Sequence, residues 1–401
     1  MERFYGPLDN AQAPQGSAKT QRKGNCGEWS EPYAAVRMIG DGKLFVADRN
    51  GKKDPNSWMT LMELIREETQ QRMVKYSLDA STTDVQITVN GNLVQIVPVS
   101  EFDRVADKLL KEIQDHAKAA SKGAFSVDVD LDNDLTLLMI GSIKAKSSKK
   151  DDVVLSVTDP RSGVVRKSVG FSIKSELGRK PSLFNTGRAS AAEFELPGMT
   201  PAFMAHINSI FTSKNSVAVT DRCKAMLAAG VKMKYRGFAE APKAKARTFY
   251  ENLLLINPLL PEVLAWILLG LYTERFPSRD VKTIVQELVA KNPLGISRPE
   301  VRYPYMIKQF LYAAYCGMTA GQFWDGQSEV NGGFICVNSN GEVLAYYALE
   351  SDSFKEHLFR SCLFEQPSTG EGHGNFGSVI FEESGTFVFK LNFSIRYGNA
   401  V

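Results

Sequence analysis

Two segments with a strong preference for β-structure, joined by a short turn, constrain the fold of this chain more than any other feature. Residues 152–157 and 165–175 are rich in β-branched side chains, which favour strands. Residues 159–163 read Asp-Pro-Arg-Ser-Gly, a composition typical of turns. The sequence therefore predicts an antiparallel hairpin here.

The register of this hairpin decides which polar side chains meet. Paired residues in an antiparallel hairpin have a constant sum of residue numbers, and a turn centred near residue 162 gives a sum near 324. Asp152 then lies opposite Ser172, with Lys174 as a diagonal neighbour. Alternation places the apolar residues of both strands on the other face, namely Val153, Leu155, Val157, Val169, Phe171 and Ile173. A carboxylate and a lysine can thus meet beside a candidate core.

This combination of side chains suits phosphodiester cleavage. The reaction needs an activated water and positive charge that offsets the developing phosphorane. Carboxylates that bind Mg²⁺, together with a lysine near the water, supply both. Asp152 and Lys174 are therefore candidate catalytic residues, and Asp152 is a candidate metal ligand.

Positive charge is concentrated around the same hairpin. Residues 144–180 carry ten basic and four acidic side chains, a local charge of +6, whereas the whole chain carries +3. A basic segment beside a candidate phosphodiesterase site favours a polyanionic partner. The candidate DNA contacts in and after this segment are Lys149, Lys150, Arg179 and Asn185. The alternative interpretation is an ordinary solvated hairpin with surface lysines.

The remaining pattern predicts a mixed α/β (α+β) protein, in which a β-sheet core flanked by helices is interrupted by a large helical insertion. The predicted helices lie at 28–38, 57–75, 101–121, 201–211, 280–290 and 354–364. The other predicted strands lie at 43–47, 85–89, 93–97, 333–337, 343–347, 377–381 and 386–397. Four segments are expected: a polar arm (1–24), a core with the hairpin (25–200), a helical region (201–330) and a strand-rich region (331–401).

Composition argues against several other kinds of protein. The five cysteines and four histidines are scattered, without a CxxC pair, which disfavours a zinc cluster and a disulfide framework. The polar N-terminal arm lacks the apolar segment of a signal peptide. Prolines interrupt the most apolar stretch, 253–271, which is expected to form two core helices with a turn at Asn257-Pro258. A cytoplasmic protein without a membrane partner is therefore expected.

The hairpin and five further blocks carry a recognisable pattern. The hairpin contains Lys-Asp-Asp-Val-Val-Leu at 150–155 and Gly-Phe-Ser-Ile-Lys-Ser at 170–175. The other blocks follow the same order along the chain, at 24–31, 177–185, 317–335, 365–369 and 391–397. Together they resemble the HpaII-type restriction endonucleases, which belong to the PD-(D/E)XK nuclease superfamily. The likeness spans about residues 24–397.

The resemblance implies a PD-(D/E)XK-type sheet and a type II enzyme that cuts specific sites in double-stranded DNA. It implies Mg²⁺ as the cofactor, with 5′-phosphate and 3′-hydroxyl ends as the product. It further implies CCGG or a related sequence as the target and functional pairing with a cognate DNA methyltransferase. A homodimer on DNA is compatible with the same resemblance.

One position departs from the superfamily pattern. The residue two before the lysine is usually Asp or Glu, but here it is Ser172, which cannot supply the second charge for a metal ion. The resemblance implies that a glutamate from elsewhere replaces it. Glu195 and Glu193 are the candidates after the hairpin, and Glu31 on the opening helix is the third. Glu193 and Glu195 could equally face solvent, and Glu28 and Glu31 could simply favour a helix N-terminus.

The closing segment offers a candidate surface for DNA recognition. Residues 386–397 alternate apolar and polar side chains, so a single strand would bury one face and expose Lys390, Asn392 and Arg396. An ordinary amphipathic strand is the alternative. His373 and Asn375, in a glycine-rich loop, are a further candidate for groove contacts.

Two other functions remain open at this point. A repair or junction nuclease could use the same scaffold, and sequence-selective cutting of intact duplex would separate it from a restriction enzyme. A DNA-binding module with a decayed site is suggested by Ser172, whereas retention of both Asp152 and Lys174 argues against decay.

Overall fold

The computed structural model describes residues 21–397 except for gaps at 49, 80, 82, 120–122, 146–150, 160–161, 179–181, 212–214, 328–331, 348–350 and 370–375. The strands are β1 (Lys43–Ala47), β2 (Lys53–Thr69), β3 (Arg72–Leu78), β4 (Asp84–Val89), β5 (Asn92–Pro98), β6 (Val153–Thr158), β7 (Val165–Ser175), β8 (Ser182–Phe184), β9 (Ala192–Glu195), β10 (Lys234–Phe238), β11 (Gly333–Val337), β12 (Val343–Tyr347), β13 (Cys362–Glu365), β14 (Val379–Phe381), β15 (Phe387–Leu391) and β16 (Ser394–Tyr397).

Helices precede and follow the hairpin along the chain. They are α1 (Cys26–Asp41), α2 (Val99–Lys118), α3 (Val129–Leu137), α4 (Pro201–Ser209), α5 (Asn215–Ala228), α6 (Thr248–Ile256), α7 (Leu260–Tyr272), α8 (Val281–Lys291), α9 (Pro299–Tyr315) and α10 (Ser351–Ser361). A short 3-10 helix spans Arg188–Ser190. The mixed α/β class expected from the sequence is confirmed.

Nine of the described strands form one curved central sheet. Their order is β1-β12-β11-β7-β6-β2-β3-β4-β5. Because β1 also pairs with the first part of the long strand β2, the sheet curls back on itself. β6 and β7 lie in its middle, and β11 runs parallel to β7 on the other side. Strands from both ends of the chain therefore enclose the predicted catalytic hairpin.

Two hydrophobic cores cover the two faces of this sheet. The α1–α2 core includes Trp29, Tyr33, Phe102, Leu109, Val153 and Phe171. The helical core includes Phe249, Leu264, Phe310, Phe364, Phe389 and Phe393. β11 alternates between them, since Phe334 and Cys336 belong to the helical core while Ile335 and Val337 belong to the α1–α2 core. A strand buried on both faces needs a continuous apolar run, which this segment provides.

Helix α1 begins at a capping box and ends at a glycine. Asn25 Oδ1 accepts a hydrogen bond from Glu28 N at 3.0 Å, and Glu28 Oε2 accepts one from Asn25 N at 2.9 Å. Gly42 follows the helix in the left-handed conformation, with φ of 59°. Glu28 therefore fixes the start of the helix that carries Glu31.

The predicted helix at 57–75 is wrong, because β2 and β3 occupy this segment. The pairing of β2 with β6 shifts between Leu61 and Glu63. This bulge changes the phase of alternation, so the next buried apolar residue after Leu61 is Leu64. A spacing of three between apolar residues imitates a helix and hides the strand.

The predicted single strand at 386–397 is wrong in a similar way. β15 belongs to a four-stranded sheet, β10-β9-β15-β14, whereas β16 belongs to a three-stranded sheet, β13-β16-β8. Asn392 lies at the break and is fully buried. Its side chain donates to Gly187 O at 2.7 Å and accepts from Ser190 Oγ at 2.9 Å. A polar residue in an alternating pattern therefore joins two sheets here instead of facing solvent.

The most apolar stretch of the chain forms two helices, as predicted. α6 and α7 meet near Asn257 and contribute buried residues to the helical core. Across the described residues, none of the helices alone has the length and apolar character to span a membrane. α6 and α7 pass that test only as a pair, bent by 112°.

His357 links α10 to β16, and its burial should make the stability of the protein depend on pH. It is 4% exposed, and its Nε2 lies 2.6 Å from Tyr397 Oη. Burial lowers the pKa of His357 from 6.5 to about 4, against a smaller opposing effect of Asp48. Between these two values the unfolded chain binds the proton more readily. Stability is therefore full above about pH 6.5 and is lost as the pH falls toward 4, by about 3 kcal/mol.

Chemical denaturation between pH 7 and pH 4 should show this loss in the wild-type protein. His357→Gln should reduce the dependence on pH, because the titrating group is gone. His206→Gln, at an exposed position on α4, is the matched control and should leave the dependence unchanged. Equal slopes for the wild type and His357→Gln would contradict this assignment.

Candidate active site

The β6–β7 pairing confirms the predicted register at the end of the hairpin that carries Asp152. Val153 pairs with Phe171, and in this pair and the next two the residue numbers sum to 324, as predicted. The register shifts only beyond Leu155, toward the turn. Asp152 therefore lies beside Ser172, as predicted from the turn position.

Asp152 is oriented by two hydrogen bonds from β7. Its Oδ2 accepts from Ser172 Oγ at 3.0 Å and from Ile173 N at 2.5 Å. Burial raises the pKa of the Asp152 carboxyl, and the two hydrogen bonds and the charge of Lys174 oppose that rise. The strand thus holds a partly desolvated carboxylate in one orientation.

Glu31 supplies a second carboxylate near Asp152. It extends from α1, and its Oε2 accepts a hydrogen bond from Ala145 N at 3.0 Å. Burial, followed by repulsion from Asp152, raises the pKa of Glu31 to about 7. The fold therefore brings together two carboxylates that repel each other when both are ionised.

Arg66 is a member of this site that the sequence analysis missed. Its guanidinium is 1% exposed and donates to the carbonyl oxygens of Ser142 and Ile143, both at 3.1 Å. Burial raises the pKa values of Glu31 and Asp152, and the positive charge of Arg66 is among the effects that oppose this. Had residues 53–69 been predicted as a strand with a bulge, the alternation would have placed Arg66 on the buried face. The predicted helix did not indicate this.

Lys174 lies on the same face of β7 as Ser172. In the parallel pairing with β11 it stands beside Cys336, and its Nζ lies 6.0 Å from the centre of the Tyr315 ring. The side chain is half-buried, so it combines a fixed stem with access to the site. Its charge lowers the pKa of Asp152 against the larger effect of burial.

The structure separates the other two candidate glutamates from Asp152. Glu195 and Glu193 both lie on β9, in the four-stranded sheet. Glu193 is buried and forms ion pairs with Lys390, Arg236 and Arg247, so it does not face solvent. Of the three candidates, Glu31 is the one that the fold places beside Asp152.

The expected polar face at 386–397 does not form. Lys390 pairs with Glu193 at 2.7 Å, and Arg396 pairs with Glu365 at 2.7 Å in another sheet. Asn392 is buried and cannot contact DNA in this fold. The three residues predicted to share one DNA-facing strand are therefore in different environments.

The candidate contacts nearer the hairpin are only partly described. Asn185 is exposed directly after β8, where it remains accessible to a ligand. Lys149, Lys150 and Arg179 lie outside the described residues, as do His373 and Asn375.

Asp152 and Glu31 are the side chains of this site that could hold a metal ion. Within the described ranges, no three or more His, Cys, Asp and Glu side chains gather as a ready-made site. Two repelling carboxylates, Asp152 and Glu31, are nevertheless suited to a hard divalent cation, which relieves their repulsion. Such cations can take one or two protein carboxylates, with water and substrate phosphate oxygens as further ligands. The residues present therefore fit a divalent ion.

Comparison with known proteins agrees with this chemistry. The sequence model of the HpaII restriction endonuclease family matches residues 25–397. The chain belongs to this family. It is 31% identical over 376 residues to the type II restriction enzyme HpaII of Haemophilus parainfluenzae, and the alignment covers 93% of this chain and 98% of that enzyme. No solved structure matches it significantly.

Membership of the family indicates a type II site-specific deoxyribonuclease, with DNA as its substrate. The resemblance found in the sequence blocks is thereby confirmed. Restriction endonucleases of this kind generally use a divalent metal ion, which agrees with the carboxylate pair.

The orienting role of Ser172 can be tested with a matched pair of substitutions. Ser172→Ala should slow single-turnover DNA cleavage roughly tenfold, because a hydrogen bond to a charged group contributes on the order of 1.5 kcal/mol. Ser156→Ala is the control, since Ser156 Oγ makes an equivalent bond to Glu63 at 2.9 Å on the adjacent strand pair. Equal rates for the two variants would show that Ser172 does not orient Asp152 for catalysis.

Proposed function

We propose that this protein is a Mg²⁺-dependent restriction endonuclease that hydrolyses phosphodiester bonds of double-stranded DNA to 5′-phosphate and 3′-hydroxyl ends. Asp152 and Glu31 bind the metal ion, and Lys174 acts at the attacking water. The observation that carries this proposal is the convergence of these three side chains at one end of the hairpin.

Each residue has a distinct part in the proposed reaction. When bound, Mg²⁺ offsets the negative charge that develops on the phosphate and acidifies water. Ser172 and Ile173 N orient Asp152 toward its ligand. The buried charge of Arg66 favours the ionised forms of both carboxylates, against the larger opposing effect of burial. Lys174 positions the water by hydrogen bonding and stabilises charge on the scissile phosphate.

We also propose that the protein belongs to the PD-(D/E)XK superfamily. Asp152 and Lys174 occupy the Asp and Lys positions of its motif, and Ser172 occupies the position of the second acid. Glu31 replaces that acid in preference to Glu195. The charges of Glu31 and Asp152 repel each other, whereas Glu195 belongs to another sheet. The nuclease core is residues 25–200, joined by β11 and β12 from the C-terminal region.

The proposed target is CCGG or a related sequence, by extension from the family. On the same ground, the partner activity is a DNA methyltransferase that modifies the target and protects the host. Two copies of the chain acting on one duplex would cut both strands of a palindromic site. Lys149, Lys150, Arg179 and Asn185 are the proposed contacts to the DNA backbone around the site.

The metal-binding assignment predicts a clear ranking of carboxylate variants. Asp152→Asn and Glu31→Gln should each reduce plasmid cleavage by on the order of 10³-fold, because several kcal/mol of charge stabilisation depend on the metal. Both should retain DNA binding in mobility-shift assays. Glu195→Gln, from the four-stranded sheet, should cleave normally. A severe defect in Glu195→Gln with little effect of Glu31→Gln would reverse the assignment.

The lysine can be tested separately from the carboxylates. Lys174→Met keeps the length of the side chain but removes its charge and donors. Cleavage should fall by on the order of 10²-fold or more, with DNA binding largely retained. A mild loss of cleavage that follows a loss of binding would instead indicate a phosphate contact.

The target sequence and products can be read from one digestion. A plasmid of known sequence should be cut at CCGG or a close relative in Mg²⁺, and end sequencing should locate the cut. DNA ligase should rejoin the fragments without kinase treatment, because the 5′ ends carry phosphate. Methylation of cytosine in the target should block cutting. Ends distributed without a common sequence would refute site-specific cleavage.

A further inference from the structure

A charged cleft of about 450 Å³ lies on the four-stranded sheet, apart from the residues of the active site. The charged residues that line it are Arg188, Glu193, Arg236, Glu240, Arg247 and Lys390. β9 provides Glu193, β10 provides Arg236 and β15 provides Lys390. Neither the metal-binding carboxylates nor Lys174 contributes to this cleft.

A buried carboxylate organises the cations of the cleft. Glu193 is 5% exposed, and its Oε1 accepts from Lys390 Nζ at 2.7 Å. Its Oε2 lies 3.4 Å from Arg236 Nη2 and 3.8 Å from Arg247 Nη2. Arg236 is also held by Glu382, through contacts of 2.9 and 2.7 Å. Lys390 and Arg236 are therefore fixed from within, while Arg247 is held only at its edge.

The backbone of β10 is shaped around these side chains. The pairing of β10 with β9 shifts between Tyr235 and Gly237, so Arg236 is the extra residue of a β-bulge. Gly237 has φ of 143°, and a Cβ there would lie 2.6 Å from Arg247 Nη1. A bulge can re-aim a side chain, and glycine allows close approach. The arginines are thus placed by specific backbone features.

The side chains that face outward include both hydrogen-bond donors and a hydrogen-bond acceptor. Arg247 is 41% exposed at its side chain, and Arg188 and Glu240 are exposed at the mouth of the cleft. The cations Arg188, Arg236, Arg247 and Lys390 are nearly balanced by the carboxylates Glu193, Glu240 and Glu382. Such a cleft attracts phosphate weakly, because backbone binding depends on uncompensated charge. Its fixed donors and acceptor suit directional contacts instead.

We propose that this cleft reads a G·C base pair in the major groove of DNA, an inference that rests on the proposed function only in taking duplex DNA as the ligand. Arg247 donates two hydrogen bonds to O6 and N7 of guanine, the pairing for which a guanidinium is well shaped. Glu240 accepts from the N4 amino group of cytosine. Glu193 is a positioning residue, whose Oε2 lies 3.8 Å from one edge of the Arg247 guanidinium.

Binding selection from a pool of randomised duplexes tests the proposal without cleavage. The full-length protein in EDTA should enrich a sequence containing G·C pairs. Arg247→Lys keeps the charge but loses the planar pair of donors. It should lose preference for guanine at one position of the motif by roughly 10- to 100-fold. Arg302→Lys, at an exposed position on α9, is the matched control and should keep the motif.

Two results would overturn the proposal. The first is an unchanged motif in Arg247→Lys, or no motif in the wild type. The second appears in Arg247→Ala: a uniform loss of affinity for all duplexes, with a shallower salt dependence, would identify a phosphate contact. If Arg247→Ala instead loses only the preference for guanine at one position, base readout is supported.

A modified base can locate the contact at one atom. Replacing the guanine at the affected position by 7-deazaguanine removes the N7 acceptor and should weaken binding of the wild-type protein. Arg247→Ala should lose less affinity on that duplex than on the unmodified one, because one of the two acceptors of Arg247 is already absent. An equal additional loss in the variant would place N7 in contact with another residue and contradict the assignment.

The failure of this proposal is distinguishable from failure of the proposed function. Asp152→Asn should enrich the same motif as the wild type, since it changes the cleavage site alone. Absence of Mg²⁺-dependent cleavage with a selected motif that depends on Arg247 would refute the function and leave the cleft assigned. Site-specific cleavage with a motif independent of Arg247 would refute the cleft alone.

Discussion

The pairing of β6 with β7 is the constraint on which the rest of the active site depends. In this register the even-numbered side chains Asp152, Ser172 and Lys174 share a face, and the odd-numbered apolar residues enter the α1–α2 core. A slip of β7 by one residue would turn Ser172 and Lys174 into that core and Phe171 out of it. Burial of the odd-numbered residues therefore specifies the geometry of the proposed active site as well as stabilising the sheet.

A second level of organisation is electrostatic. Desolvation of Asp152 and Glu31 disfavours their ionised forms, and each charge also repels the other. The fold accepts this unfavourable pair and partly offsets it with Arg66 and Lys174, at the expense of burying a guanidinium. The four-stranded sheet uses the reverse arrangement, in which one buried carboxylate holds several cations.

Local sequence patterns predicted the hairpin but not the contacts that complete it. Alternation and turn composition were sufficient for β6, β7 and the position of Asp152, because these features involve neighbouring residues. Glu31 and Arg66 reach Asp152 only through the tertiary arrangement of α1 and β2, which periodicity does not report. The segments at 57–75 and 386–397 were misjudged where a bulge or a buried asparagine interrupts a regular alternation.

The parallel neighbour of the catalytic strand comes from near the other end of the chain. β7 is complete at Ser175, but β11, which covers its outer edge, begins only at Gly333. Until that segment has left the ribosome, the backbone groups on this edge lack their partners, and the wall beyond Lys174 is missing. A nascent or prematurely terminated polypeptide therefore contains Asp152 and Lys174 without the strand that covers this edge of β7.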